Sequence, residues 1–280
     1  MIAGRPAGVA IEAMAALLLA TSFARATDPF EIQTYDGNAN EQGAFGLELH
    51  TNVVARGVTT SDGPELAPNR VTHFTLEPSY GLFDWWELGL YLQAALLPDG
   101  SLDWAGAKVR SKFVTPPKWA GSPHVRLGAN FELGLLPERF DKGRWAIEMR
   151  PIVAWESDRF LFAVNPNVDI TLTQPELSLG PTFQPAAMAL YQWKDRVSLG
   201  FEYYANFGPF TEPLPLAKQE HYLYEVVNLL TVEHMELNVG FGHGFTDASN
   251  SFVGKVIVGY TWGEKDADRL ATALAPRRLR

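Results

Sequence analysis

The chain has 280 residues and no cysteine, with 23 Lys and Arg against 32 Asp and Glu and a formal net charge of −9. The lack of cysteine excludes a disulfide framework and any thiolate metal site, and the acidic balance argues against nucleic acid, whose phosphates demand a basic surface. Hydrophobic residues make up 46% and aromatics 12%, including eight Trp, nine Tyr and 17 Phe, so the fold must place a large greasy surface somewhere.

Residues 1–26 have the form of a secretory signal peptide. Arg5 supplies the positive start, Ala13 to Ala20 is an uncharged apolar run, and Ala24-Arg25-Ala26 fits the small-x-small rule, which places cleavage after Ala26. Residues 27–42 are then expected to form a periplasmic N-terminal segment. Beyond residue 26 no stretch approaches the roughly 18 uninterrupted apolar residues that a spanning helix requires.

From Gly43 onward the pattern is alternation, the period of β-strands, in units of about ten residues. The first segment sets Phe45, Leu47, Leu49 and Val53 against Glu48, His50 and Asn52. The second, Val71 to Leu82, opposes Phe74, Leu76 and Tyr80 to His73, Thr75, Glu77 and Ser79. The third, Glu87 to Leu97, places Leu88, Leu90 and Leu92 opposite Glu87, Tyr91 and Gln93. In the fourth, Trp104 to Val114, Ala107, Val109 and Phe113 alternate with Lys108, Arg110 and Lys112. The fifth, His124 to Leu136, opposes a row from Val125 to Leu135 to Arg126, Asn130 and Glu132. The sixth, Trp145 to Trp155, carries Ile147 and Met149 against Glu148 and Arg150. The seventh runs from Phe160 to Leu172, the eighth, with the faintest alternation, from Phe183 to Tyr191, and the ninth from Val197 to Phe207. His221 to Leu230, Met235 to Phe245 and Phe252 to Trp262 complete the set.

Twelve such segments predict an all-β chain: a closed antiparallel transmembrane β-barrel of about 12 strands in an up-and-down meander over residues 43–262, the architecture of bacterial outer-membrane proteins. The connections alternate in length, as they do where short turns face the periplasm and longer loops face outward. Phe83 to Trp86, Glu156 to Arg159, Trp193 to Arg196 and Val232 to His234 are tight; Thr59 to Asn69, Pro137 to Arg144, Thr173 to Thr182 and Gly208 to Glu220 are long. Thr115 to Pro123 breaks the rule. Residues 263–280 are expected to be a charged periplasmic tail.

Tyr80-Gly81-Leu82-Phe83-Asp84-Trp85-Trp86-Glu87-Leu88-Gly89-Leu90 resembles the strand-turn-strand phrase of bacterial outer-membrane β-barrel proteins of the transporter type, such as the barrel family associated with phenol-degradation operons. A fainter echo lies at Tyr191 to Gly200. The resemblance implies passage of small molecules. Val258-Gly259-Tyr260-Thr261-Trp262 looks like the aromatic-x-aromatic signal of a last barrel strand, which implies the barrel-assembly machinery as a partner. It serves equally as a pair of interfacial aromatics.

If the greasy faces meet the lipid bilayer of the outer membrane, the polar faces line the lumen. Its expected charges are Glu48, Glu77, Glu87, Glu132, Glu148, Glu202, Glu225 and Glu236, with Lys108, Arg110, Lys112, Arg126, Arg150 and Lys255. The bases crowd the fourth to sixth segments. Such a lumen either passes or binds small polar or charged solutes or is closed by its own ion pairs, since twelve strands fall between barrels that side chains fill and barrels that stay open. Trp85, Trp86, Trp104, Trp145, Trp155, Trp193, Tyr260 and Trp262 fall at segment ends, where an interfacial girdle belongs. A structural or adhesive surface barrel is the second reading. The third is a hydrolase on the outer rim, for which His243 is the candidate. No nucleophile elbow, HExxH or phosphate loop is present, so no catalytic residue, metal site or cofactor is predicted.

Overall fold

A computed structural model of the chain describes residues 28–116, 121–232 and 234–263. The expected signal peptide, Trp119 and nearly all of the expected C-terminal tail lie outside the described residues.

Strands β1 (Phe45–Arg56), β2 (Thr72–Phe83), β3 (Trp86–Leu96), β4 (Leu102–Val114), β5 (Val125–Leu135) and β6 (Trp145–Glu156) follow the expected segments within a few residues. The next three staves are each interrupted once. β7 (Phe160–Asn165) continues as β8 (Val168–Thr171), β9 (Thr182–Phe183) as β10 (Ala186–Lys194), and β11 (Val197–Asn206) as β12 (Gly208–Pro209). Pro166 and Pro185 stand at two of these breaks, where a missing N–H removes a rung of the ladder. That break explains the faint alternation of the eighth segment. Backbone bonds bridge the gaps, with the Gln184 and Phe207 N–H groups donating to Asn167 O and Phe183 O, each at 3.0 Å. β13 (Glu220–Val232), β14 (Met235–Gly244) and β15 (Phe252–Trp262) complete the wall.

Every neighbouring pair is antiparallel, and β15 pairs with β1 from Phe45↔Trp262 to Arg56↔Phe252, so twelve staves close on themselves without a free edge. Closure removes the unpaired edge N–H and C=O groups that a sheet otherwise exposes. Side chains alternate as the period-two pattern requires. Outside stand Leu49, Val109, Val153, Phe201 and Phe241, from 43% to 54% exposed, while their sequence neighbours His50, Arg110, Ile152, Glu202 and Gly240 are buried inside. A greasy belt of this size suits lipid and would be an aggregation hazard in water. The one bulge in β4 falls between Gln93 and Ala94 of its partner strand and uses Gly106, whose φ of 111° suits glycine.

The turn end of the barrel carries the β2–β3, β6–β7, β10–β11 and β13–β14 hairpins; the loop end carries the long connections. Trp85, Trp86, Trp155, Trp193, Tyr260 and Trp262 ring the turn end, and Trp104 and Trp145 stand at the loop end. At the turn end Phe83, Trp85, Trp86 and Phe113 form a stacked aromatic group, with centroids 5.4 to 6.3 Å apart.

Candidate functional site

Inside the wall the expected charges meet one another. Arg110 on β4 pairs with Glu77 on β2 and, at 2.6 Å, with Glu87 on β3, which also takes Lys112 at 2.9 Å. Lys108 lies 3.3 Å from Glu132, Arg150 lies 2.7 Å from Glu148, and Lys255 lies 2.5 Å from Glu202. Arg126 pairs with Glu156 at the turn end. The pairs Glu87–Lys112, Glu87–Arg110, Lys108–Glu132 and Arg126–Glu156 join neighbouring strands across one rung or a diagonal, Arg150 and Glu148 stand two residues apart on β6, and Arg110–Glu77 and Lys255–Glu202 reach past intervening strands. Glu48 and Glu236 also face inward, on either side of Gly259.

Glu225 departs from expectation. On β13 the inward positions are Glu220, Tyr222, Tyr224 and Val226, so Glu225 points out of the barrel. Its side chain is 62% exposed, between Phe201 and Phe241 on the adjoining strands, and 3.8 Å from His243, which is also on the outer wall. The tenth segment is apolar on both faces, so its parity was ambiguous from alternation. His243 therefore has a carboxylate beside it, and its ring lies 5.3 Å from Phe252.

The larger departure is the N-terminal segment. Residues 28–42, expected to lie outside the barrel in the periplasm, run through the lumen from the loop-end half to the turn end without joining the sheet. Phe30 is fully buried against His73 and Phe140, the latter in the β5–β6 loop. Asn40 donates its N–H to Glu87 at 2.6 Å near the other end. Between these points the acids of the segment answer the bases of β4 to β6: Asp28 meets Lys108 at 2.5 Å, Glu31 meets Arg150 at 3.1 Å, and Asp36 meets Arg126 at 3.5 Å. Burial raises the Asp28 carboxyl, but the Lys108 ammonium and the Phe30 N–H outweigh it and hold the group below its ordinary range.

Tyr35 sits at the centre. Its hydroxyl lies 2.6 Å from that of Tyr91 and donates to Glu31 at 2.9 Å, while its ring faces the Arg150, Lys112 and Arg110 cations at 4.5, 5.2 and 5.8 Å. Asn165 clamps its backbone, accepting the N–H at 2.7 Å and donating to the carbonyl at 3.0 Å. Thr75, Lys255 and Arg150 donate to the carbonyls of Phe30, Ile32 and Gln33 at 2.8, 3.0 and 3.2 Å. The backbone groups of an irregular segment are thereby satisfied away from water. The signal for this in the sequence was slight: three acids at 28, 31 and 36 and three apolar residues at 30, 32 and 35, with no strand of their own.

At the loop end a cavity of about 390 Å³ remains, bounded by Pro29 and Ile32 of the segment and by residues of the β1–β2, β11–β13 and β14–β15 regions. Asp62, Glu65, Glu220 and Asp247 line it against Lys218.

Solved structures similar to this barrel include an outer-membrane channel and two porins. An outer-membrane channel from Pseudomonas putida F1 superposes with a TM-score of 0.57 at 11% identity, covering 83% of this chain and 100% of that one. The KdgM porin gives 0.51 at 11% identity, over 78% and 99% of the two chains. The NanC porin gives 0.51 at 8% identity, over 79% and 100%. At these identities the likeness is one of fold, the closed barrel of outer-membrane channels and porins. No protein-family profile and no curated protein matches the chain.

Proposed function

We propose that this chain is an outer-membrane channel for small polar or charged solutes, held shut by its own residues 28–42. The observation that carries the reading is the contrast between wall and filling. The wall is a complete barrel, and what occupies its lumen is a segment outside the sheet, fastened by side-chain contacts that exchange one by one for water or solute. Neighbours of the same fold that bear the names channel and porin support passage, and the greasy outer belt with aromatics at both ends supports a bilayer. In this reading the hairpin turns face the periplasm and the acidic cavity at the loop end receives solute from outside, which favours cationic or hydroxyl-rich molecules over anions. A signal peptide cleaved after Ala26 and recognition of Tyr260 to Trp262 by the barrel-assembly machinery belong to the same proposal, as does the girdle role of the terminal Trp residues. The rim hydrolase has the His243–Glu225 contact to support it.

Single-channel conductance tests the proposal. The full chain is expected to be closed for most of the record. Deletion of residues 28–42 is expected to give long openings with cation preference, in a protein that still migrates as a heat-modifiable barrel. A folded deletion variant that conducts no better than its parent would leave the structural or adhesive barrel as the surviving reading.

A further inference from the structure

On the inner wall near the turn end, Glu48 and His50 of β1 and Glu77 of β2 bring three donor atoms together. His50 Nε2 lies 3.2 Å from Glu48 Oε2 and 3.3 Å from Glu77 Oε2, and the three atoms fall within 4.8 Å of one another. The register explains the convergence: Glu48 faces Glu77 directly across β1 and β2, and His50 is the next inward residue on the same strand.

Two features separate this arrangement from an ordinary ion pair. His50 has no exposed surface, and neither ring nitrogen has a hydrogen-bond partner; Glu48 Oε2 and Glu77 Oε2 are likewise buried without one. An imidazolium would carry a proton on each nitrogen. Its single Nε2–H could at most be shared weakly between the two carboxylates, and its Nδ1–H would lack an acceptor, a costly state for a buried charged donor. Secondly, the spacing fits a metal. Tetrahedral coordination with bonds of about 2.0 Å sets neighbouring donor atoms roughly 3.3 Å apart.

We propose that Glu48, His50 and Glu77 form a binding site for a divalent transition-metal ion of the zinc class. Imidazole nitrogen with carboxylate oxygen is a donor set that such ions accept. Arg110 holds the other oxygen of Glu77 and so orients that ligand. Arg110 and Lys112 balance Glu77 and Glu87, while Glu48 has no Lys or Arg partner among the described residues, which leaves negative charge for a cation to neutralise. The Glu48 side chain is 26% exposed, which provides an access route. Gly259 makes room on the far side, since a Cβ there would stand 3.2 Å from the Cγ atoms of both Glu48 and Glu236.

The test uses the full, folded chain in detergent, stripped with chelator and dialysed against zinc, with cobalt as a spectroscopic substitute. One zinc per chain and the intense visible bands of tetrahedral cobalt are expected, and both should vanish in His50→Gln. Should that variant fail to fold, Glu48→Gln decides, because its partly exposed side chain leaves the wall packing in place. A parent that retains no zinc, or a folded variant of either kind that retains it at the parental stoichiometry, overturns the site. Conductance does not enter this measurement, so its outcome is independent of the channel reading.

Discussion

The two halves of the inner wall differ in chemistry. Across β1 to β6 the buried inward residues include His50, Glu77, Glu87, Arg110, Glu132 and Arg150, each within reach of several partners. Across β7 to β15 the inward residues are mostly apolar or aromatic: Leu161, Met188, Leu190, Tyr204, Tyr222, Tyr224, Val226 and Val253 pack as one cluster that also takes in Ile32 of the lumen segment. Within that apolar half Lys255 and Glu202 form a buried pair between Tyr204 and Tyr224, whose rings lie 5.9 and 5.8 Å from the ammonium. The segment fits both halves because its acids turn to the charged side and Ile32 to the apolar one.

The contrast teaches that buried charge is tolerated in two ways, by a shared network of charges or by a single opposite charge helped by neutral hydrogen-bonding groups. The second is the more fragile. Lys255→Met should therefore have the largest effect on barrel stability, about 3–5 kcal/mol, because it leaves the buried Glu202 carboxylate with the Tyr204 hydroxyl and no cation. Adding Glu202→Gln should recover most of the loss. Urea midpoints in lipid vesicles would measure both, and a double variant no better than the single one would show that the pair is not the source. Tyr35→Phe acts on the charged half and should cost less, about 0.5–1.5 kcal/mol, since only the hydroxyl contacts with Tyr91 and Glu31 are lost while the ring stays over the cations. The same variant should open the channel more often, which separates loosening of the segment from damage to the wall. Smallest is Glu225→Leu on the outer wall. Removing a carboxylate from a lipid-facing position should raise stability by less than about 1 kcal/mol. A marked loss of stability there would mean that Glu225 and His243 do not face lipid.

Much of the wall was legible because period two is a local property. Phe252–Trp262 is recovered to the residue, and the inward charges on β1 to β6 follow from parity in every case. Parity failed at Glu225, where Leu223, Val226, Val227 and Leu229 leave β13 without a polar face to mark the lumen. The pairing of those charges was only half visible, since which inward base meets which inward acid depends on register, and register is set by hairpin geometry and bulges such as the one at Gly106.

Sequence alone determined the strands, their two faces, the aromatics at the ends and the count that lets the wall close, since each depends on residues a few places apart. Only the tertiary structure decided what fills the barrel. Asp28, Glu31, Tyr35 and Asp36 carry no periodicity, and their partners lie far along the chain, on β3 to β7. Closure of the sheet creates the interior that makes those contacts favourable. A segment with no strand of its own therefore had no local signal by which to declare its place.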